Sequence, residues 1–300
     1  MIAPLVPRLR IAFFGSASRF SQLAFEQLAQ TQEMAVLVVP RILKPGLRST
    51  VRQIAGRLVA SSLERVAYNR GIPVITASDD LSGALCERLR DLRPDLICIA
   101  IFPWILARDL TEIAPLGAIN VHPSLLPRHR GPLPLFWTYH CDDRFTGVTV
   151  HHANERFDAG DVILQDRFEL PRGYPVAELD REVADRAGPL LCATVEQLSR
   201  GCAPRIPQDE SRATYALIPR ARTPMVAFDQ WDVERVWHFL SALCPQYREP
   251  LADEDGRDVL YDRVIGYRRE ESRLAPGRVE RGDDGWMLHC RGGVLRLGTQ

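Results

Sequence analysis

The stretch DLICIAIFPWILARDLTEIAPLGAINVH, residues 95–122, holds two short apolar runs with a more polar segment between them. Residues 95–101 are almost continuously apolar, which is typical of a strand covered on both faces of a sheet. Residues 118–122 predict a second strand. The stretch therefore predicts two strands of a sheet.

Working outward from this stretch, apolar runs alternate with amphipathic segments through the first half of the chain. The predicted strands lie at 10–14, 34–40 and 72–76, and the predicted helices at 18–30, 49–69 and 81–90. This alternation predicts an α/β fold with a doubly wound, mainly parallel sheet. Ligands bind outside the carboxyl ends of the strands in such sheets, so a functional site is expected just after Phe14, Ile101 and Val121.

The second half of the chain has a different pattern. Further elements are predicted as strands at 147–152 and 162–170 and as helices at 176–199 and 233–243. From about residue 214 onward, short strand-like pieces and Gly-containing turns predict a smaller β-rich, OB-like domain. We therefore expect a catalytic domain at 1–205 and a small β-rich domain at 206–300.

Composition excludes several classes of protein. The 38 basic and 38 acidic residues cancel, so no net field draws the chain to nucleic acid or to a membrane surface. The seven cysteines have no CxxC spacing, which argues against a disulfide framework or a zinc ribbon. The chain shows no signal peptide and no apolar run of membrane-spanning length, so a cytoplasmic protein is predicted.

The segment 120–131, NVHPSLLPRHRG, carries the most informative polar side chains. Asn120 and His122 are two residues apart, which places both on the same face of a strand, and Pro123 ends the ladder after them. Imidazole suits proton transfer near neutral pH, and an Asn amide can donate to an oxygen that gains charge in acyl transfer. Purely structural roles for both residues also fit the pattern.

A third polar group is expected from residues 157–161, FDAGD, just before a predicted strand. A carboxylate beside an imidazole fixes its tautomer, and Asp158 is the candidate, although spacing alone leaves its pairing with His122 open. Ser124 invites a serine-hydrolase interpretation, which the missing GxSxG elbow disfavours. The segment after Phe14 lacks the three-glycine dinucleotide fingerprint, which disfavours NAD.

These motifs together resemble the folate-dependent formyltransferases. The resemblance rests on Asn120-x-His122-Pro-Ser124-Leu-Leu-Pro127-x-x-Arg130-Gly131, then on residues 146–149, TGVT, and on residues 158–161, DAGD. It covers about residues 8–200, with a weaker likeness from 213 to 297. The family includes glycinamide ribonucleotide, methionyl-tRNA and sugar N-formyltransferases.

The resemblance implies roles for individual residues. Asn120, His122 and Asp158 match the catalytic trio, the formyl donor would be 10-formyltetrahydrofolate, and no metal is expected. The residues implied in binding the folate are Phe102, Trp104, Ile105, Ser124, Leu125, Leu126, Pro127 and Asp161.

The acceptor amine is less clearly indicated. Candidate contacts are Arg41, Lys44, Arg48, Arg130 and Gly131, although a solvated basic surface fits the first three equally well. Residues 210–300 contain 14 Arg against 15 Asp and Glu, which is too balanced for a domain that grips tRNA. A small-molecule amine, such as a free or nucleotide-linked amino sugar, is therefore favoured. Methionyl-tRNA is the alternative, and a folate-binding module or a formyl-folate hydrolase is the alternative of another class.

Overall fold

The computed structural model describes residues 7–41, 61–78, 81, 83–220, 222–283 and 285–299. The chain divides into two compact units. The first comprises Met1–Pro132, Gly147–Arg167 and Asp180–Tyr215, and the second comprises Leu133–Thr146, Phe168–Leu179 and Ala216–Gln300. The domain boundary between residues 205 and 206 stays a prediction.

A seven-stranded sheet forms the centre of the fold, in the order β3-β2-β1-β4-β5-β6-β7. Its strands are β1 (Arg10–Gly15), β2 (Glu33–Pro40), β3 (Val74–Ala77), β4 (Leu96–Ala100), β5 (Ala118–His122), β6 (Phe145–His152) and β7 (Val162–Glu169). Strands β1 to β5 pair in parallel, and β5 pairs antiparallel with β6. The mainly parallel α/β sheet predicted from the sequence is confirmed.

Helices connect the strands. They are α1 (Arg19–Thr31), α2 (Ser62–Asn69), α3 (Gly83–Leu92), α4 (Arg108–Thr111), α5 (Pro134–His140), α6 (Val176–Ser199) and α7 (Val233–Leu243). Ser18 caps α1 by accepting a hydrogen bond from the Ser21 backbone N–H. The helix predicted over 49–69 is observed from Ser62, behind a capping box of Ser61 and Glu64, and its first part lies outside the described residues.

Burial of the apolar strands holds the sheet together. Every residue of β4 is buried, as its continuous apolar sequence predicted. On one side of the sheet, Phe14 and Ile97 belong to a cluster of buried residues against which Phe102 and Trp104 pack. This packing anchors the segment that follows β4 at the carboxyl end of the strand.

The second unit contains a separate four-stranded antiparallel sheet, in the order β8-β11-β10-β9. Its strands are β8 (Arg263–Arg268), β9 (Val279–Gly282), β10 (Gly285–Cys290) and β11 (Gly293–Gly298). The predicted β-rich C-terminal region is thus confirmed, together with the helix α7, which Asp232 caps through the Arg235 N–H. Among the residues that the structure describes, no helix is long and apolar enough to cross a membrane.

Candidate active site

Strand β5 presents the two polar side chains that its sequence pattern picked out. Asn120 is half-buried and His122 is buried at the carboxyl end of the strand, immediately before Pro123. Asn120 pairs with residues on both neighbouring strands, since it lies opposite Ile99 of β4 and His151 of β6. Being built into a central strand, the site has little freedom to move.

Asp158 meets both of these side chains. Its Oδ1 accepts a hydrogen bond from Asn120 Nδ2 at 3.0 Å, and its Oδ2 lies 3.5 Å from His122 Nδ1. The Gly131 backbone N–H donates to the same Oδ2 at 2.8 Å. Asp158 itself has a φ of +49°, a left-handed conformation that a short polar residue tolerates better than a branched one. The structure therefore brings the predicted trio together.

Hydrogen bonding fixes which nitrogen of His122 carries the proton. Nε2 lies 2.9 Å from the His129 carbonyl oxygen, which can only accept, so Nε2 must be protonated. In the neutral imidazole the lone pair is then on Nδ1, which faces Asp158. A proton that arrives at Nδ1 would form an imidazolium next to a carboxylate, and Asp158 would stabilise it.

His151, within the strand predicted at 147–152, is a fourth member of the site that the sequence did not single out. Its Nδ1 lies 2.8 Å from the His152 carbonyl, so that nitrogen is protonated, and its Nε2 accepts from Asn120 Nδ2 at 3.1 Å. Nε2 is also 3.5 Å from Asp158 Oδ1. The sequence predicted the strand that carries His151, but not the antiparallel register that sets this residue opposite Asn120.

The surroundings of Asp158 and His122 determine the charge states of these two side chains. Burial alone would raise the pKa of Asp158, but the imidazoles of His122 and His151 and the Gly131 N–H outweigh it and lower this pKa. Burial lowers the pKa of His122, against the opposing effects of Asp158 and the His129 carbonyl. At neutral pH the site thus presents a carboxylate beside a neutral imidazole, an arrangement suited to accepting one proton.

The loop 124–127, predicted to contact folate, is tied to the sheet. Thr149 Oγ1 donates to the Ser124 carbonyl at 2.6 Å and accepts from the Leu126 N–H at 3.2 Å. Gln165 Nε2 donates to the Leu126 carbonyl at 2.9 Å. Ser124 is fully buried and its Oγ donates to the Arg128 carbonyl, so its hydroxyl serves the loop itself. Leu125 and Pro127, between these anchors, are half-buried.

The segment after β4 carries the aromatic residues predicted for the pteridine. Phe102 packs edge-on against Phe14 and against Trp104, with ring centroids 5.3 Å apart in both pairs. Phe102, Trp104 and Ile105 are all half-buried, so each retains surface that a ligand could cover. Ile101, at the turn itself, has a φ of +52°.

Asp161 lies at the other end of the loop that carries Asp158. Its carboxylate is 3.3 Å from Arg205 Nε, and its carbonyl accepts from the His152 N–H at 2.9 Å. Its side chain is partly exposed, and a contact with folate stays a prediction.

Of the basic residues proposed to bind the acceptor, Arg41 is exposed at the end of β2, and its N–H donates to the Ala77 carbonyl. Lys44 and Arg48 lie outside the described residues. Their part in acceptor binding stays a prediction.

Arg130 and Gly131 lie beside the trio but contribute differently. Gly131 donates its N–H to Asp158. The Arg130 side chain has no exposed surface and turns inward onto Gln208 and Glu210. A part for Arg130 in acceptor binding stays a prediction. Gln208 and Glu210 lie in the region 206–300, which was predicted to be a separate domain, and their sequence did not single them out.

Among the residues that the structure describes, no group of His, Cys, Asp and Glu is arranged to hold a metal ion. The chemistry that the described side chains offer is hydrogen-bond donation by Asn120, proton acceptance by His122 and charge stabilisation by Asp158. This combination is suited to acyl transfer, in which an oxygen gains charge and a proton must move.

A mainly parallel α/β sheet, with Asn120 and His122 at the end of one strand and Asp158 reaching them from a loop, defines the class to which the chain belongs. Residues 9–195 match the family model described as formyl transferase, and the chain is a member of this family of folate-dependent enzymes. A methionyl-tRNA formyltransferase of Anaeromyxobacter dehalogenans strain 2CP-1 is 35% identical, over 97% of this chain and 91% of the relative.

Two further comparisons show how far the similarity extends. A methionyl-tRNA formyltransferase of Syntrophus aciditrophicus is 33% identical, and the match spans 63% of this chain and only 60% of that relative. An N-formyltransferase from Helicobacter canadensis, solved with folinic acid and dTDP-3-aminofucose, superposes with a TM-score of 0.68 at 14% identity, over 97% of this chain and 99% of that one. At this identity the likeness concerns the fold.

Proposed function

We propose that this protein transfers a formyl group from 10-formyltetrahydrofolate to the primary amine of a small molecule. The observation that carries the proposal is the position of Asp158, which bonds to Asn120 and faces His122 at the carboxyl end of β5. A protein that only bound folate would not need a carboxylate buried against an imidazole and an amide, because burying charge is costly.

The proposed reaction exchanges one C–N bond for another. The amine nitrogen bonds to the formyl carbon while the bond from that carbon to N10 of the folate breaks, and one proton passes from the amine to N10. Asn120 donates to the formyl oxygen as it gains charge. His122 Nδ1 receives the proton in transit, and Asp158 stabilises the imidazolium and helps to pass the proton on, directly or through water.

Two features support the folate as donor. Phe102 and Trp104 present partly uncovered rings near a strand end, and a flat heteroaromatic ring can stack or pack edge-on against such side chains. The loop 124–127 is fixed to β6 and β7 by the Thr149 and Gln165 hydrogen bonds, so it offers a preformed wall.

An amino sugar, free or nucleotide-linked, is the favoured acceptor. The charge balance of residues 210–300, with 14 Arg and 15 acidic residues, supports a small acceptor over a polyanion. Methionyl-tRNA is the second candidate, and the full-length likeness to a methionyl-tRNA formyltransferase favours it. A formyl-folate hydrolase would use the same trio, with water in place of the amine.

The test is the initial rate of tetrahydrofolate release from 10-formyltetrahydrofolate. One reaction contains nucleotide-linked amino sugars and small amines, a second contains Met-tRNA, and a third contains no acceptor. Release with a small amine and formation of its N-formyl product would support the proposal. Release only with Met-tRNA would establish the second candidate, and equal release without acceptor would identify a hydrolase.

Two variants test the mechanism in the same assay. Asn120→Ala should abolish most turnover, whereas Asn69→Ala, at an exposed position at the end of α2, should leave it intact. Equal turnover in both variants would contradict the proposed role of the strand-end amide.

A further inference from the structure

The segment 208–214 lies beyond the family match at 9–195, yet its side chains reach both loops of the active site. Gln208 Nε2 donates to the Asp158 carbonyl at 2.8 Å and to the Gly160 carbonyl at 2.7 Å. Its Oε1 accepts from Arg130 Nη2 at 2.8 Å and from Nε at 3.1 Å. Both donors and both acceptor positions of the amide are thus used, so the orientation of Gln208 is determined.

Arg130 connects the Gln208 amide to the loop that contacts the Asp158 carboxylate. Glu210 holds the buried guanidinium through Nη1 at 3.0 Å and Nη2 at 3.1 Å, which is a bidentate pair. The next residue, Gly131, donates its N–H to Asp158 Oδ2. Asp158 is therefore held at both ends, by Gln208 at its backbone and by Gly131 at its carboxylate, with Arg130 closing the ring of contacts.

Thr214 contacts the loop that carries His129, the residue whose carbonyl bonds to His122. Its Oγ1 accepts from the His129 N–H at 2.8 Å, its carbonyl accepts from the Arg130 N–H at 2.9 Å, and its N–H donates to the Pro127 carbonyl at 3.2 Å. His129 has a φ of +60°, and its carbonyl is the acceptor that keeps the proton on His122 Nε2. If this carbonyl shifted, His122 could also adopt the other tautomer, with its proton on Nδ1.

We propose that Gln208 and Thr214 are positioning residues for formyl transfer, Gln208 acting through Asp158 and Thr214 acting through His122. The inference rests on the proposed function for its kinetic consequences, but its structural content is independent of the acceptor. It assigns a part in the reaction to a segment whose sequence indicated no functional residue.

The variants are chosen to change hydrogen bonding and little else. Thr214→Val keeps the shape and removes the hydroxyl, and Thr214→Ser restores the hydroxyl. Gln208→Glu keeps the acceptor for Arg130 and replaces the two N–H donors by an oxygen that faces two carbonyls. Gln30→Glu, at an exposed position of α1, is the matched control for the charge.

The first readout needs no turnover. In protein labelled with ¹⁵N-histidine, the signals of His122, identified by their loss in His122→Asn, report its tautomer and titration. We expect a protonated Nε2 in the wild type, a mixture of tautomers in Thr214→Val, and recovery in Thr214→Ser. In Gln208→Glu the titration of His122 should shift, because Asp158 moves. Wild-type spectra in both Thr214→Val and Gln208→Glu would overturn the proposal.

Steady-state rates provide the second readout. Gln208→Glu and Thr214→Val should lose about ten- to a hundredfold in kcat, because small displacements of catalytic groups are costly, with KM for the folate little changed. Losses explained by a smaller folded fraction, with the wild-type pH profile of kcat retained, would overturn the proposal. If Thr214→Val and Gln208→Glu change the His122 signals as expected but the wild type transfers formyl to no amine, the proposed function fails, while the part of both residues in holding Asp158 and His122 stands.

Discussion

Replacement of Gly160 by alanine is the sharpest steric test of the site. Gly160 does not adopt a left-handed φ, so its backbone conformation is open to other residues. A steric clash excludes other residues, because a Cβ atom at this position would lie 1.8 Å from the His152 carbonyl oxygen and 2.8 Å from the carbonyl carbon. Cβ atoms are not found within 3.0 Å of such atoms, so one of the two backbones must move by about 1.2 Å.

The loop 157–161 is the part that we expect to move, since the His152 carbonyl also accepts a hydrogen bond from His151 and β6 is paired in the sheet. Displacement of the loop carries Asp158 away from Asn120 and His122. A misplacement of about 1 Å can cost about a hundredfold in rate, and overpacking costs about 1–3 kcal/mol of stability. Gly160→Ala should therefore reduce kcat by about a hundredfold while the protein stays folded.

The assay is tetrahydrofolate release at saturating substrates, with thermal unfolding measured alongside it. Gly83→Ala is the matched control, because a Cβ at that helical position would meet nothing within 4 Å. A Gly160→Ala protein whose kcat stays within about threefold of the wild type would refute the reasoning, since it would show that the geometry of Asp158 tolerates the shift.

Three further outcomes are expected. Asn120→Ala should lower kcat by about 10²–10³-fold, a loss of about 3–4 kcal/mol of transition-state stabilisation, with a folate Kd measured by titration close to the wild-type value. Because burial lowers the pKa of His122, the acid limb of kcat/KM should lie below pH 6.5, and a limb at or above that value would contradict a neutral buried base. Burial also lowers the pKa of His238, to about 4, and its Nδ1 accepts from the Gly173 N–H. As the pH falls below 6.5, His238 is protonated in the unfolded chain before it is protonated in the folded one, which destabilises the folded state. Between pH 7 and pH 4.5, the free energy of unfolding of the wild type, measured by urea titration, should therefore fall by about 2 kcal/mol more than that of His238→Asn.

Much of the fold was predictable because its elements have strong local patterns. The strand 118–122 and the helices 176–199 and 233–243 have the predicted bounds, since apolar periodicity and capping residues mark their ends. Elements stabilised by distant contacts were missed. Helix α5, PLFWTYH, is rich in aromatic residues with low helix propensity, and Phe136 packs on Phe239 of α7 within the second unit.

The same distinction holds in the active site. Asn120 and His122 could be picked out because their spacing along one strand is a local property. Their convergence with Asp158, Gln208 and His151 depends on strand register and on a loop with left-handed backbone, and neither is encoded in spacing. The resemblance to a family supplied the first of these partners, while Gln208 and His151 appeared only with the structure.

Asn120 has two N–H donors, and in the structure both are already engaged, one with Asp158 and one with His151. On the proposed mechanism the formyl oxygen can take over only the donor that bonds to His151, because the bond to the carboxylate is charge-assisted and stronger. His151 would thus hold Asn120 in place until the donor binds. Saturation with a formyl-bearing folate should therefore shift the ¹⁵N signal of His151 Nε2 and one of the two Asn120 amide protons. Equal shifts of both amide protons, or a His151 signal that does not change, would show that the amide binds the formyl group in another way.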